Sequence, residues 1–269
     1  MAPNVAMIPR LPAARPLIAL ALGAALLATG LGAEKPHGYL ADGAFDILQV
    51  LPPAPVKGDA RYRADRTIFK QTRAMIGTPR YALATADAVY EQPALMADFS
   101  CAVGVALTPQ DAPRTKALVD RALLDTEGQT VRAKNFYKRK RPFLIDKGDI
   151  CEPKQELAKS YDYPSGHTTL GWTWALILSD LLPDRATQIL ARGRAYGDSR
   201  FICGAHNESA VEGSKLSAGS TMAVVRTTAP YQADAAGARA ELRALAADPL
   251  VPRPTGCDAE AKLVAQRVL

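Results

Sequence analysis

Hydrophobic positions recur along most of this chain with the spacing of an α-helix rather than that of a β-strand. Between residues 68 and 76 they fall one, three or four apart, which places them on one helical face. Gly77 and Pro79 follow directly and are residue types that end a helix. The pattern therefore predicts a long helix that begins near residue 59.

The same spacing predicts helices along the rest of the chain, and no segment has the alternating pattern of a strand. A low aromatic content of 6% agrees with closely packed helices rather than with a β-sandwich. The expected fold class is therefore all-α, a single-domain helical bundle. We expect further helices at residues 80–91, 94–105, 108–137, 165–182, 183–199, 207–227 and 234–247, with a short one after Cys257.

Residues 1–33 have the pattern of a secretory signal peptide. Two arginines precede an apolar run from Leu17 to Leu27, and small residues follow at the expected cleavage positions. The alternative is that this segment stays in place as an uncleaved membrane anchor. Residues 34–58 are rich in proline and glycine, which predicts an extended segment before a helical domain at 59–269.

The net charge and the cysteine content limit which classes of partner and which cellular compartment fit this chain. The formal charge is +6, a mild positive excess that favours anionic substrates and does not call for nucleic acid. The four cysteines lack metal-binding CxxC spacing, and an even number in an exported chain indicates two disulfides. Three pairings are open among Cys101, Cys151, Cys203 and Cys257.

Two of the three histidines occur in segments suited to an anion site. Ser165 should cap a helix whose first N–H groups and dipole favour an anion, with His167 in its first turn. Arg200 and His206 lie on either side of Gly204, which should break a helix and let both side chains enter one cavity. Each segment taken alone fits an ordinary capped helix or a solvated helix end at least as well as it fits an anion site.

A third segment adds fixed positive charge. Residues 134–142 form a dense basic run that begins at Lys134 and ends with Arg141 and Pro142. If the preceding helix continues to Tyr137, Lys134 and Arg141 reach the same site. The alternative is a solvated helix end or a nucleic-acid patch, and export argues against the latter.

In this order the three segments resemble the signature of the type 2 phosphatidic acid phosphatase (PAP2) superfamily, which includes the vanadium haloperoxidases. That signature has a lysine separated by six residues from Arg-Pro, then Pro-Ser-Gly-His, then Ser-Arg separated by five residues from a histidine. The size, the signal peptide and the run Gly-x-Ser-Arg-x-x-Cys-Gly-x-His look like the bacterial class A non-specific acid phosphatases. The resemblance covers residues 60–230 and implies a helical bundle of that type in a periplasmic protein.

The resemblance implies a metal-independent phosphomonoesterase that works through a phosphohistidine. The histidine matching His206 would attack phosphorus, and the one matching His167 would protonate the departing alkoxide. Cations around the phosphoryl oxygens are the main catalytic device in such transfers, and paired histidines suit mildly acidic pH. The groups implied to bind the phosphate oxygens are Lys134, Arg141, Ser165, Gly166 and Arg200.

The chain departs from the family pattern at one position. The family has an Asp four residues after the nucleophilic histidine to orient its ring, and this chain has Ala210 there. By analogy with the carboxylate of a serine-protease triad, the loss predicts a rate about 10²–10⁴-fold lower. On a helix, Glu208 and Glu212 would point away from His206, so neither replaces the missing Asp easily. The leading hypothesis is therefore a periplasmic acid phosphatase impaired by Ala210.

Two other hypotheses are a phosphate-binding pseudoenzyme without turnover and a vanadium-dependent haloperoxidase, whose chains are typically much longer. An integral-membrane lipid phosphatase is disfavoured, because no segment after the signal peptide reaches 18 apolar residues. The expected partners are small phosphomonoesters and inorganic phosphate, and the resemblance also admits a homo-oligomer. We expect no nucleic acid, no stable membrane insertion after signal removal, and no metal or other cofactor.

Overall fold

Helices account for the regular structure of residues 36–269, the range that the computed structural model describes. The predicted all-α class is confirmed, since no β-strand occurs in that range. Several short 3₁₀ turns join the helices. The helices are α1 (Ala60–Thr72), α2 (Pro79–Ala86), α3 (Ala94–Asp98), α4 (Ser100–Val103), α5 (Pro113–Tyr137), α6 (Lys154–Leu157), α7 (Gly166–Leu181), α8 (Ala186–Cys203), α9 (Glu208–Val225), α10 (Ala229–Ala247) and α11 (Cys257–Val264).

Helix α7 lies at the centre of the bundle, packed against α5, α8 and α9. It is apolar on almost every side, and its buried side chains include Leu170, Trp174, Ile177, Leu178 and Leu181. Trp174 is fully buried and stacks on Phe99 with 6.4 Å between ring centroids. Replacing a ring buried in this way by alanine typically costs about 3–5 kcal/mol. The start of α7 is therefore held rigidly.

Capping residues, rather than hydrophobic spacing, set the helix ends. The long helix expected from residue 108 begins at Pro113, after a turn in which Thr108 bonds to Asp111 at 2.6 Å. The last long helix begins at Ala229, earlier than expected, where the side chain of Thr228 caps the first turn. The predicted helices exist, and these predicted bounds were wrong.

Residues 36–58 run along α5 and contain one 3₁₀ turn, Ile47–Gln49. The Asp125 carboxylate accepts the backbone N–H of Tyr39 at 2.7 Å, and Gln129 accepts that of Ile47 at 3.0 Å. The predicted domain limits stay predictions, and the signal-peptide prediction lies outside the described residues. Among the described helices, none combines the length and the apolar character needed to cross a membrane.

Two disulfides select one of the three open pairings. Cys101 and Cys257 join α4 to α11 across 156 residues of sequence. Cys151 and Cys203 are 52 residues apart and join the segment before α6 to the end of α8. The second disulfide lies beside the candidate site.

Candidate active site

The ends of four helices meet around one cavity of about 410 Å³. The C-terminal ends of α5 and α8 carry basic side chains, and the histidines lie at the N-terminal ends of α7 and α9. Arg200 and Ser165 lie behind the cavity wall and are both fully buried. The predicted site residues that line the cavity are Lys134, Arg141, Gly166, His167 and His206.

His206 lies in the turn between α8 and α9 and is 2% exposed. Gly204, with φ of +86°, ends α8 in the left-handed conformation that favours glycine, as the sequence predicts. Nε2 of His206 is 2.9 Å from Nη1 of Arg141, a group that can only donate. Nε2 must therefore carry the lone pair, and the ring proton resides on Nδ1.

Burial and positive charge keep this imidazole neutral. The pKa of His206 lies well below its ordinary value because the ring is buried, and the charges of Arg141 and Lys134 add to the effect. The backbone carbonyl of Asp162, 2.8 Å from Nδ1, acts in the opposite direction. A neutral ring with a lone pair on Nε2 is the state that a nucleophile requires.

His167 is the second residue of α7 and shares the cavity. Its Nε2 donates to the Ala88 carbonyl at 3.2 Å, and its ring meets that of Tyr90 edge-on. This leaves Nδ1 as the nitrogen that can exchange a proton with a bound molecule. Burial, followed by the charge of Arg200, holds the pKa of His167 well below its ordinary value. An anion in the cavity would oppose both effects.

Lys134 and Arg141 present positive charge at the cavity wall. Lys134, in the last turn of α5, donates from Nζ to the Tyr161 carbonyl at 2.6 Å. Burial and then the charge of Arg141 lower the pKa of Lys134 to about 7. Ser160 holds Arg141 through its carbonyl at 3.0 Å and its hydroxyl at 2.7 Å, and burial lowers the pKa of Arg141 to about 10. Both cations are therefore charged at acidic pH.

Arg200 is fully buried in the last turn of α8. Its Nη2 pairs with the carboxylate of Glu152, a cavity-lining residue that the disulfide of Cys151 and Cys203 tethers beside it. Nε and Nη1 have no hydrogen-bond partner within the described part of the chain. Leaving buried N–H groups unpaired is costly, so this guanidinium is suited to a further oxyanion. Sequence reasoning missed Glu152.

Ser165 and Gly166 begin α7. The Ser165 hydroxyl accepts the N–H of Thr168 at 3.3 Å, and the Ser165 N–H donates to Ser214 Oγ at 2.6 Å. A Cβ on Gly166 would meet no atom within 4 Å, so its backbone borders open space in the cavity. The first N–H groups of α7 can therefore face an anion, whereas the main contacts of Ser165 are those of a helix cap.

The side chain of Ala210 is fully buried and cannot orient an imidazole. Neither Glu208 nor Glu212 hydrogen-bonds to His206 among the described residues, and Glu212 bonds to Lys215 at 2.7 Å. Burial, and then the charge of Glu212, raise the pKa of Glu208. The expectation that neither glutamate replaces the missing Asp agrees with this geometry.

A different carboxylate reaches the ring, that of Asp162, and sequence reasoning missed it. Its Oδ1 lies 3.1 Å from Nδ1 of His206. The search from the sequence followed the helix after His206, whereas Asp162 precedes His206 by 44 residues and lies in an irregular segment. Its place two residues before Pro164, at the edge of the Pro-Ser-Gly-His segment, was the signal that could have found it.

Comparison with known proteins agrees with this fold and cavity. A sequence model of the PAP2 superfamily matches residues 121–233, the stretch that holds both histidines and all three candidate cations. The chain belongs to this superfamily.

The similar proteins are acid phosphatases, and the chain groups with them. It is 40% identical over 199 residues to an acid phosphatase of Zymomonas mobilis, covering 73% of this chain and 75% of that protein. It is 37% identical over 196 residues to a non-specific acid phosphatase of Salmonella typhimurium, covering 71% and 78%. A non-specific acid phosphatase of Providencia stuartii is 33% identical over 230 residues, covering 80% and 93%.

Proposed function

We propose that this protein is a periplasmic non-specific acid phosphatase that hydrolyses small organic phosphomonoesters through a phosphohistidine on His206. One observation carries the proposal: Nε2 of His206 bears a lone pair at the wall of a cavity that Lys134 and Arg141 also line. His167 reaches the same cavity from the start of α7. Preorganised cations beside a nucleophile and an acid are what phosphoryl transfer requires.

In the first step the lone pair on Nε2 of His206 attacks phosphorus, and the bond from phosphorus to the ester oxygen breaks. The electron pair of that bond stays on the oxygen, which takes a proton from His167 and leaves as an alcohol. Arg141 must turn its Nη1 from Nε2 to a phosphoryl oxygen, which exchanges a neutral acceptor for a charged one. The product is a phosphohistidine that keeps its Nδ1 proton.

In the second step water replaces the histidine. The water oxygen attacks phosphorus while His167, now neutral, takes the water proton. The bond between nitrogen and phosphorus breaks, and its electron pair returns to Nε2 of His206. Inorganic phosphate leaves, and both imidazoles regain the protonation that they had with substrate bound.

The charges around the cavity predict an acidic optimum. Both imidazoles are neutral in the free protein, because burial and the neighbouring cations lower the pKa of His167 and of His206. A bound phosphate supplies negative charge that favours protonation of His167, most readily at low pH. Lys134, with a pKa of about 7, loses its charge above neutrality, which weakens phosphate binding. The rate should therefore fall as pH rises beyond 7.

The periplasmic location and the substrate range are parts of the same proposal. The predicted signal peptide at residues 1–33 supports export, and two disulfides are typical of an oxidising compartment. The names of the similar proteins support small, varied phosphomonoesters as substrates. A homo-oligomer stays a prediction.

Release of p-nitrophenol from its phosphate at pH 5–6 tests the activity. Retention of ³²P on the protein after a quench of the labelled reaction in alkaline detergent tests the phosphohistidine, whose bond between nitrogen and phosphorus is stable to alkali and labile to acid. We expect His206→Ala to abolish both turnover and label. The matched control is His37→Gln, because His37 is exposed and outside the cavity, and this variant should behave as the unaltered protein.

Two results would contradict the proposal. Phosphate binding without turnover or label, even over long incubation, would identify the chain as a phosphate-binding pseudoenzyme instead. A rate that still rises above pH 8 would exclude the acid role given to His167.

A further inference from the structure

Two oxygens of one residue hold the Nδ1 proton of His206. The backbone carbonyl oxygen of Asp162 lies 2.8 Å from Nδ1, and its carboxylate Oδ1 lies 3.1 Å away. Because Nε2 accepts from Arg141, the Nδ1–H group is the donor and is shared between these oxygens. The carbonyl alone would hold the ring in place, and the carboxylate adds negative charge beside it.

The side chain of Asp162 is itself fixed. It is 0% exposed, and Asn207 donates to Oδ1 from its backbone at 3.0 Å and to Oδ2 from its amide at 2.7 Å. Nη1 of Arg139 lies 3.3 Å from Oδ2, and Arg139 also bonds to Asp65 at 2.6 Å. A buried carboxylate with this many donors has little freedom to rotate. The contact with the ring is therefore preorganised.

We propose that Asp162 is the positioning residue for His206 and takes over the task that the family pattern gives to an Asp at position 210. This inference rests on the proposed phosphohistidine mechanism. As Nε2 bonds to phosphorus, the ring gains positive charge, which a carboxylate at Nδ1–H stabilises. No proton moves to Asp162. The carboxylate speeds formation of the phosphohistidine without touching the substrate.

The surroundings of Ala210 fit this reassignment. Its methyl group packs in a buried apolar cluster with Tyr163 and Leu51. A carboxylate at position 210 would be buried beside apolar groups and would add a second negative charge near that of Asp162. Both conditions disfavour an ionised Asp. This chain therefore supplies the carboxylate from the segment before α7 rather than from α9.

The variant Asp162→Asn separates this role from a purely structural one, because it keeps the side-chain size and the backbone carbonyl. We expect kcat to fall by about 10- to 10³-fold, less than the roughly 10⁴-fold loss in a triad, since the carbonyl still selects the tautomer. KM and the inhibition constant of inorganic phosphate should stay within about threefold, because binding does not use this contact. Asp162→Glu should recover part of kcat.

A matched control removes a carboxylate that does not contact the cavity. Asp125→Asn weakens the contact with the Tyr39 backbone, so it should lower the Tm and leave kcat within about twofold. Proton NMR adds a direct readout, since the chain has only three histidines to assign. The Nδ1 proton of His206 should resonate far downfield in the unaltered protein and move upfield in Asp162→Asn.

The outcomes that overturn the inference are distinct. They are an unchanged kcat in Asp162→Asn, an equal loss of kcat in Asp125→Asn, or a parallel loss of phosphate inhibition in Asp162→Asn. A large rise of kcat in Ala210→Asp would also overturn it, because the site would then have lacked its carboxylate. Failure of the proposed function looks different: the unaltered protein would form no labelled phosphohistidine.

Discussion

The Arg200 guanidinium, behind the cavity wall, makes few hydrogen bonds of its own. It is 0% exposed, and within the described part of the chain one of its three nitrogens has a hydrogen-bond partner, the Glu152 carboxylate. A phosphate oxygen and the Glu152 carboxylate would both bind the same guanidinium. On the proposed mechanism, substrate binding would therefore compete with Glu152 for Arg200.

The variant Glu152→Gln tests this competition. The amide keeps the size of the side chain and removes its charge, so inorganic phosphate should inhibit about tenfold more tightly, the equivalent of one modest ion pair. The measurement is the inhibition constant of phosphate at pH 5–6. The control is Glu156→Gln, since Glu156 also lines the cavity but is exposed and pairs with Lys159 at 2.6 Å. Weaker phosphate inhibition in Glu152→Gln would show that the carboxylate assists binding.

Among the elements, the irregular segment between α5 and α7 organises the site. Apart from the single turn α6 and a 3₁₀ turn, it has no regular structure of its own. Its covalent tie to the bundle is the disulfide of Cys151 and Cys203. The segment supplies one hydrogen-bond partner to each of Arg200, Arg141, Lys134 and His206. These partners are, in the same order, Glu152, Ser160, Tyr161 and Asp162.

Removing this disulfide should loosen the site as well as the fold. In Cys151→Ala/Cys203→Ala we expect a lower Tm, since closing a loop of this length contributes about 4 kcal/mol in the chain-entropy treatment. KM should rise several-fold, because the partners of the cations are no longer held. The control, Cys101→Ala/Cys257→Ala, should lower the Tm but leave KM unchanged. An equal rise of KM in both double variants would argue against a local effect.

The same segment marks the limit of what the sequence could predict. Helix α7 and its buried face were predictable, because a 3.6-residue period is a local property. The histidines and cations were singled out through the resemblance to the family signature, and the structure brings Lys134, Arg141, His167 and His206 to one cavity. Asp162 and Glu152 were not, because they contact His206 and Arg200 across 44 and 48 residues from a stretch without periodicity. Helix starts were missed where a single capping contact, such as that of Thr228, decides them.

For the whole molecule, the two imidazoles of the cavity link stability to pH. Folding lowers the pKa of His167 and of His206 below the ordinary value near 6.5. Below that pH the unfolded chain binds protons that the folded protein does not. Above about pH 6.5 these histidines therefore do not reduce the free energy of unfolding. As the pH falls below that value, the free energy of unfolding decreases.

Sulfate should oppose the loss of stability at low pH, because it stays doubly charged between about pH 5.5 and pH 8 and would occupy the phosphate position. We expect sulfate to raise the Tm more at about pH 5.5 than at pH 8, since the imidazoles accept protons beside it and Lys134 is charged below about pH 7. Thermal unfolding with and without sulfate measures the effect. Lys134→Arg, which stays charged, should keep more of the protection at pH 8. Protection that is independent of pH would contradict the charge assignments.

On the proposed mechanism, the depth of His206 limits which esters the protein can cleave. With the ring 2% exposed at the cavity wall, we expect phosphorus to reach Nε2 only with its unsubstituted oxygens leading. A terminal phosphate enters in this way, but the phosphorus of a phosphodiester carries a chain on both sides, and one of them would meet Arg141 and the buried residues behind it. We expect the protein to strip terminal phosphates from small molecules and to leave the backbones of DNA and RNA intact.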